Sequence, residues 1–459
     1  MTDANSKTTN FNRPTNPIAL AIVGGGISGL AVALGLLSRA PNLHLHIFEA
    51  APAFSEIGAG VAFGPNALRA LSLLHPEAGA VYERLRTSNA DDSRDECGRE
   101  VYLRVVMGMD RTGDGGVGAG REVCVVRGEG GLSSVHRARL LEAIAALLPE
   151  AFMQDNVTFN ARLTASSMKA DGIDLTFSND KTYSFDAAID CTGIKSPLRT
   201  ALLGPGSKPV FTGKYAYRGL IPMHLATAAL CGENTLNGAH RVGYDGHVLT
   251  FPIDHGRTLN VVAFRTHPTG RWEAGAEWIQ PASKEAMKAD FAGWGEEVQK
   301  LIGMMEKCDR WALFDHPAAD SYHDGKGRFC LMGDAAHAST PHMGAGAGMA
   351  VEDAVVLSSL LGEVREKGDL GAAFGAFEAV RKDRTQRLVR ESRRQAELYE
   401  FQGEGVADDV EELRKVLPSR WEWIWGYDMD AAIEEAKGTF RREMQASKGY
   451  RSGVDKQES

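Results

Sequence analysis

The strongest constraint on this chain is a glycine cluster, Gly24-Gly25-Gly26-Ile27-Ser28-Gly29, set between segments of different character. Before it, residues 18–23 (IALAIV) are wholly apolar and rich in β-branched side chains, the pattern of a strand buried in a parallel sheet. After it, residues 30–38 are apolar and helix-compatible, and residues 43–49 alternate before ending on Glu49. A GxGxxG at the first turn of a β–α–β unit is the arrangement that binds dinucleotides. Gly24 permits the tight turn, Gly26 lets backbone approach a pyrophosphate on the helix N-terminus, beside Ser28, and Gly29 lets helix and strand pack closely. Glu49 ends the second strand, where a carboxylate accepts from a ribose 2′-OH and repels a 2′-phosphate. The bound group is therefore an adenosine with a free 2′-OH: FAD or NAD, not NADP.

The same glycine pattern recurs at Gly113-Asp114-Gly115-Gly116-Val117-Gly118, but no buried strand precedes it and no helix follows. It reads as a loop within a Gly-, Asp- and Arg-rich region, from about Thr87 to Arg127, that is expected to contain an irregular excursion. Residues 137–148 suit a helix, and 156–190 suit a β-meander ending in FDAAIDCTG. From Lys214 to Phe264 the pattern changes to longer strands (KYAYRGLIPM, HVLTFPI, TLNVVAF), read as an antiparallel sheet inserted between two parts of the nucleotide-binding domain. Residues 283–302 read as helical. A buried strand at 328–334 then leads into a glycine-rich turn and a helix near 348–362, and 372–444 is largely helical and charged.

Three further segments carry a resemblance. Gly333-Asp334-Ala335-Ala336-His337, with Gly344-Ala345-Gly346-Ala347-Gly348 and Glu352-Asp353-Ala354 after it, resembles the GD motif of flavoprotein hydroxylases. Val135-His136-Arg137-Ala138-Arg139 resembles that family's short arginine motif, and Glu56–Ala67 is also typical of it. The chain thus resembles the p-hydroxybenzoate-hydroxylase class of flavin monooxygenases over roughly residues 18–400. Within the class it is most similar to fungal salicylate hydroxylases, through Tyr217–Pro222 and His247–Pro252. The resemblance implies FAD, with Asp334 on the ribityl chain, Arg137 in contact with the cofactor, Gly346 and Ala347 near the flavin pyrimidine, and Gly60 and Ala62 lining the ribityl and isoalloxazine region. It also implies NADH or NADPH as a transient reductant with no domain of its own. One departure stands out. Where the class carries Asp-Gly before a Ser and an Arg, this chain has Thr192-Gly193, with Ser196 and Arg199 in place, so nucleotide preference is open.

On the substrate side, alternation in HVLTF places His247, Leu249 and Phe251 on one sheet face. A strand histidine of this kind can simply face solvent, but the resemblance puts a functional histidine here, which makes His247 the candidate base for a phenol. Phe251 stands where some relatives have a tyrosine. Arg218, the one charge in AYRGLIP, can pair bidentately with a carboxylate or phenolate, or snorkel from an edge to solvent. The resemblance also implies that Pro341 and His342 lie near the flavin. The spacing of His337, His342 and Asp334 matches no familiar zinc set, so no metal is expected.

The implied architecture is α/β. A Rossmann-like FAD-binding domain (18–205 and 308–385) is interrupted by an antiparallel-sheet substrate domain (206–307) and followed by a helical C-terminal region (386–450). Residues 1–17 and the tail 451–459 are expected to be disordered. The implied activity is hydroxylation of a phenolic aromatic acid with O2 through a C4a-hydroperoxyflavin, foremost the decarboxylative conversion of salicylate to catechol. A dearomatising monooxygenase of a fungal polyketide phenol is the nearest alternative, and a flavin oxidase or dehydrogenase the alternative from another class. The net charge of −9 and pI near 5.9 argue against nucleic-acid or anionic-membrane partners. Six scattered cysteines without a CxxC pair, no apolar leader and no long apolar run suit a cytoplasmic monomer or homodimer.

Overall fold

The computed structural model describes residues 17–454 apart from 55–59, 111–117, 231–234, 274 and 276, with side chains described as far as 446. The expected disorder before Pro17 and after 454, most of the Gly113–Gly118 loop, Glu56–Ala59 and Cys231 lie outside the described residues.

The apolar run at the N-terminus forms the strand Ile18–Val23 at the centre of a five-stranded parallel sheet. It pairs with Leu43–Phe48 on one side and Ala187–Asp190 on the other; Phe329–Leu331 and Val157–Thr158 form the edges. Every residue of Ala187–Asp190 and Phe329–Leu331 is buried, as expected of parallel strands covered on both faces. The helix Ile27–Arg39 packs against Gly346–Leu361, so the two glycine-rich turns open helices on the same side of the sheet. The meander expected at 156–190 is present: Leu163–Lys169, Gly172–Phe177 and Thr182–Phe185 form a small antiparallel sheet before the chain re-enters the parallel one.

The second large sheet has eight strands, with Val210–Pro222, Thr258–Thr266, Gly246–Ile253 and Ala239–Gly243 consecutive in its middle. Its extent corrects one expectation. Residues 87–127 are not simply an irregular excursion, because Glu100–Met107 pairs parallel to Ala239–Gly243 and Glu122–Gly128 forms the outer edge. The Gly, Asp and Arg that signalled irregularity sit mainly in the connection between these strands, which are themselves valine-rich. On the other side, Arg310–Asp315 pairs with Val210–Pro222 and the short strand Ile279–Gln280 forms the edge. The pleat sends alternate residues to opposite faces. Tyr215 and Tyr217 pack under the helices Lys284–Asp290 and Glu296–Met304, where both phenols donate to Asp290 at 2.6 Å. Ala216 and Arg218 face the other way.

The helix Leu370–Tyr399 ties the two sheets together. Its Arg381 and Arg384 meet Glu352 and Asp353 of Gly346–Leu361 at 2.7–2.8 Å, with all four residues buried. Burial alone would raise both carboxyls. Arg381 and Arg384 hold Glu352 below its usual range, and His337 with Arg381 brings Asp353 down to about 2. Beyond Glu400, the helices Val410–Val416 and Met429–Val454 complete the helical C-terminal region. Of the described cysteines, Cys97 is exposed and Cys124, Cys191, Cys308 and Cys330 are buried, all as free thiols. Among the described residues no helix is long and apolar enough to cross a membrane.

Arg381→Met takes from Asp353 its buried guanidinium and from Glu352 one of its two, and is expected to cost about 3–5 kcal/mol in urea unfolding. Because the Asp353 carboxyl is depressed from 3.8 to about 2 in the fold, its contribution is present above about pH 4 and lost as pH falls toward 2. Wild-type stability should therefore drop across that interval, and the variant should lose much of this dependence.

Candidate active site

The first glycine turn has the geometry its sequence requires. Gly24 sits at φ +106°, and a Cβ there would overlap the carbonyl of Cys191 on the neighbouring strand; a Cβ on Gly29 would overlap the carbonyl of Gly24. Gly26 differs: a Cβ there would meet nothing, because the position opens onto a cavity of about 700 Å³. Glu49 accepts from the backbone N–H of Gly25 and of Ala51, both at 2.6 Å, which fixes its carboxylate at the cavity edge.

The second turn faces the same cavity. Gly333, at φ +59°, turns the chain so that Asp334 lines the space, followed by Pro341, His342, Gly346 and Ala347. Gly29 and Gly333 lie behind the lining and shape the turns without facing the cavity. The Thr192 departure is also resolved in geometry. Asp190, fully buried, accepts from the Thr192 N–H at 2.9 Å, the Thr192 hydroxyl at 2.6 Å and the Ser196 hydroxyl. A carboxylate therefore organises this loop from two residues upstream. Ser196 caps the helix Pro197–Leu203, and Arg199 reaches across to the carbonyls of Ala336 at 2.6 Å and Pro317 at 2.7 Å. The Thr192–Arg199 loop and the Gly333–His337 turn are thus one hydrogen-bonded unit.

The third wall is the inner face of the eight-stranded sheet. Cross-strand pairing sets His247 opposite Phe264, and Leu249 opposite both Val262 and His240; Val262 also pairs with Arg218. These residues, with Phe251, Gly60, Ala62, Ser28 and Arg137, all line the cavity. The structure therefore brings together in one space nearly every residue singled out from sequence. Arg218 has no hydrogen bond or salt bridge to the described residues and lies 4.7 Å over the ring of Trp311. Burial, and then the charge of Arg137, lower its pKa.

Other lining residues escaped the sequence reading. Tyr102 and Leu103 come from the Thr87–Arg127 region, Leu132 from just beyond it, and His240 from a short strand with no distinguishing pattern. Tyr399 and Trp421 belong to the C-terminal helical region, which carried no motif. Trp421 is anchored by donating to the Met343 carbonyl at 3.1 Å.

His247 is fully buried. Burial and then the Lys214 ammonium push its pKa well below the ordinary histidine value, so the imidazole is neutral. His342 and His240 are lowered in the same way, burial first. His247, His342 and Glu400 place potential ligand atoms within 4.8 Å of one another, a juxtaposition the sequence spacing did not suggest. Glu400 is already neutralised by Lys214, 2.6 Å away, so the group presents no net negative charge to a divalent ion. His337 instead pairs with Asp353 at 2.6 Å, away from His342.

Comparison with known proteins agrees with this geometry. A family model described as FAD binding domain matches residues 292–392. The chain is 39% identical over 435 residues to a 6-methylsalicylate 1-monooxygenase of Aspergillus terreus, covering 93% of each chain. It is 37% identical over 444 residues to a salicylate hydroxylase of Pseudomonas putida, covering 93% of this chain and 96% of the relative. A solved salicylate hydroxylase–substrate complex superposes with a TM-score of 0.78 at 32% identity, covering 92% of this chain and 98% of that one. The chain belongs to the FAD-dependent aromatic monooxygenases of the p-hydroxybenzoate-hydroxylase class. Its cofactor is FAD, with NAD(P)H as reductant. The site fits that cofactor: an open cradle at Gly26, a fixed carboxylate at Glu49, a second turn carrying Asp334, and an apolar sheet face beyond.

The glycines give a discriminating test. Gly26→Val should fold with unchanged thermal stability and yet lose the visible flavin absorbance, since its side chain enters the cavity. Gly29→Val should fail on stability first, because its side chain meets backbone.

Proposed function

We propose that this enzyme converts an ortho-hydroxybenzoate, salicylate or a close alkyl relative, to the corresponding catechol with loss of CO2. The observation that carries the proposal is the pairing, on one apolar cavity wall, of a half-buried guanidinium with no hydrogen-bond partner among the described residues (Arg218) and a neutral buried imidazole (His247). An aromatic acid has one group for each: a carboxylate for Arg218 and a phenolic hydroxyl for His247. The names of the relatives at 39% and 37% identity point to the same substrate class. The lining of Leu249, Phe251, Val262 and Phe264 suits an aromatic ring bearing a small alkyl group.

In this reading Glu49 takes the adenosine ribose, the Gly24–Gly29 turn the pyrophosphate, Asp334 the ribityl chain, and Arg137, Gly60, Ala62, Gly346 and Ala347 the flavin end. Pro341 and His342 lie between cofactor and substrate. When bound, the flavin takes hydride from NAD(P)H and delivers one oxygen atom of O2. The protein's own work is to hold the ring, exclude water and ionise the phenol. His247 draws the phenolic proton, making the carboxyl-bearing carbon electron-rich. Oxygen bonds there, the bond to the carboxylate breaks, and its electron pair restores aromaticity as CO2 leaves. The balance is salicylate, O2, NAD(P)H and two protons to catechol, CO2, water and NAD(P)+. Apolar walls keep water away from the oxygen-transfer step.

Incubation with salicylate and with 6-methylsalicylate, reading NAD(P)H consumption and product mass, tests this. Catechols that have gained oxygen and lost CO2 are expected. Simple gain of one oxygen with the carboxylate retained would reassign the enzyme to plain or dearomatising hydroxylation of other phenols. Substrate oxidised without oxygen gained would point to an oxidase or dehydrogenase. Arg218→Met should raise KM for salicylate about 10- to 100-fold with little change in kcat, the loss of one charge-assisted pair of about 1.5–3 kcal/mol. His247→Gln should slow product formation about 100-fold or more while NAD(P)H still reduces the flavin.

A further inference from the structure

His247 is enclosed by titratable and charged groups from several elements. Its neighbouring strand presents His240 with ring centroids 4.9 Å apart, the turn Pro341–Met343 presents His342 at 5.1 Å, and the end of Leu370–Tyr399 presents Tyr399 at 5.3 Å. Phe264 stacks on the imidazole at 4.2 Å. The next residue of the helix end, Glu400, is buried and divides its carboxylate between two tasks. Oε2 accepts from Lys214 Nζ at 2.6 Å and from the Thr266 hydroxyl. Oε1 lies 3.2 Å from His247 Nδ1, off the line of a formed hydrogen bond, and neither atom has another hydrogen-bond partner among the described residues. His247 Nε2 is likewise unpartnered.

We propose that Glu400, held by Lys214, is a positioning residue that fixes the tautomer of His247, with the proton on Nδ1 facing Oε1 and the Nε2 lone pair left for a phenolic hydroxyl. The proposal rests on His247 as the base, and adds what makes it one. An imidazole whose tautomer is unassigned offers a lone pair on either nitrogen; a carboxylate beside Nδ1 selects the form with the proton there. Charge balance supports the same arrangement. Lys214 and Glu400 cancel, so an added proton on His247 is costly while no further anion is near. When a phenol is present, its O–H bond breaks, an Nε2–H bond forms, and the electron pair stays on the phenolate oxygen. The imidazolium then lies between two anions, Glu400 and the phenolate, and the local net charge is unchanged.

Glu400→Gln gives a sharp test because the substitution is nearly isosteric. Beside the Lys214 ammonium the new amide must present its oxygen to Nζ, which turns its NH2 toward Nδ1 and forces the proton of His247 onto Nε2. In the holoenzyme labelled with 15N-histidine, the His247 signals, assigned by their loss in His247→Gln, report the tautomer directly. The wild type is expected to carry its proton on Nδ1, and Glu400→Gln on Nε2 with kcat about 100-fold lower and KM for salicylate within about threefold. Adding Lys214→Met frees the amide to turn its oxygen to Nδ1, which should restore the wild-type tautomer and recover at least about tenfold in kcat. Wild-type His247 protonated on Nε2, or a tautomer unaltered by Glu400→Gln, overturns the proposal. Full activity of His247→Gln would instead remove the base reading and leave the tautomer result standing.

Discussion

Four buried charges set the geometry on which this site depends. Glu352 and Asp353 lie in the helix that opens at the second glycine turn; Arg381 and Arg384 lie in the helix whose far end reaches the inner face of the eight-stranded sheet. Buried ion pairs add little net stability over apolar packing, but their geometry is exacting, since a partner displaced by an ångström leaves an uncompensated charge. The cluster therefore fixes the register of one helix against the other. That register carries the position of Asp334 and Ala347, at one end, to Tyr399 and Glu400 at the other. Asn66 donates to Glu352 at 2.7 Å and His337 bonds Asp353, so the segment after Gly60 and the GD turn are tied to the same centre.

The cavity that results has walls of different chemistry. The dinucleotide side offers backbone amides and fixed carboxylates; the sheet side offers rings, aliphatic groups, one guanidinium and neutral imidazoles. Burial is what keeps these histidines neutral, and it is also what an oxygen-transfer reaction needs from its surroundings. A histidine of ordinary pKa in a wet cleft would be partly protonated near neutral pH. Here the same exclusion of water holds the imidazoles of His240, His247 and His342 unprotonated.

Much of this was legible in sequence, and the reason is locality. The turn at Gly24–Gly29 with Glu49 lies within one β–α–β unit, where spacing alone determines geometry, and the GD turn lies within one strand–turn–helix unit. His247, Leu249 and Phe251 follow from the two-residue period of a strand. The walls that went unseen are assembled over long sequence distances. Glu100–Met107 reads poorly because a strand paired to Ala239–Gly243, far along the chain, needs no local signal beyond its valines. Trp421 and Glu400 resemble any aromatic and any acid near the ends of charged helices. Only the placement of those helices against the sheet makes one a wall and the other a partner for His247.

The Thr192 position shows how a missing residue can mislead when read alone. An acid expected at one place in a loop implies an anion near that loop, and the sequence offered a hydroxyl instead. In the fold the carboxylate of Asp190, two residues earlier and at the end of a parallel strand, accepts from Thr192 and Ser196 together. Burial raises its pKa while the hydroxyl donors act in the opposite direction. Because those donors lie in the loop, the strand end and the loop hold each other, and Arg199 extends the arrangement to the GD turn. What the substitution removes is an anion facing the cavity at position 192; what it keeps is a rigid loop there. Consequences for the reductant should thus be sought in how charge is presented to NAD(P)H, with the FAD site itself left in place.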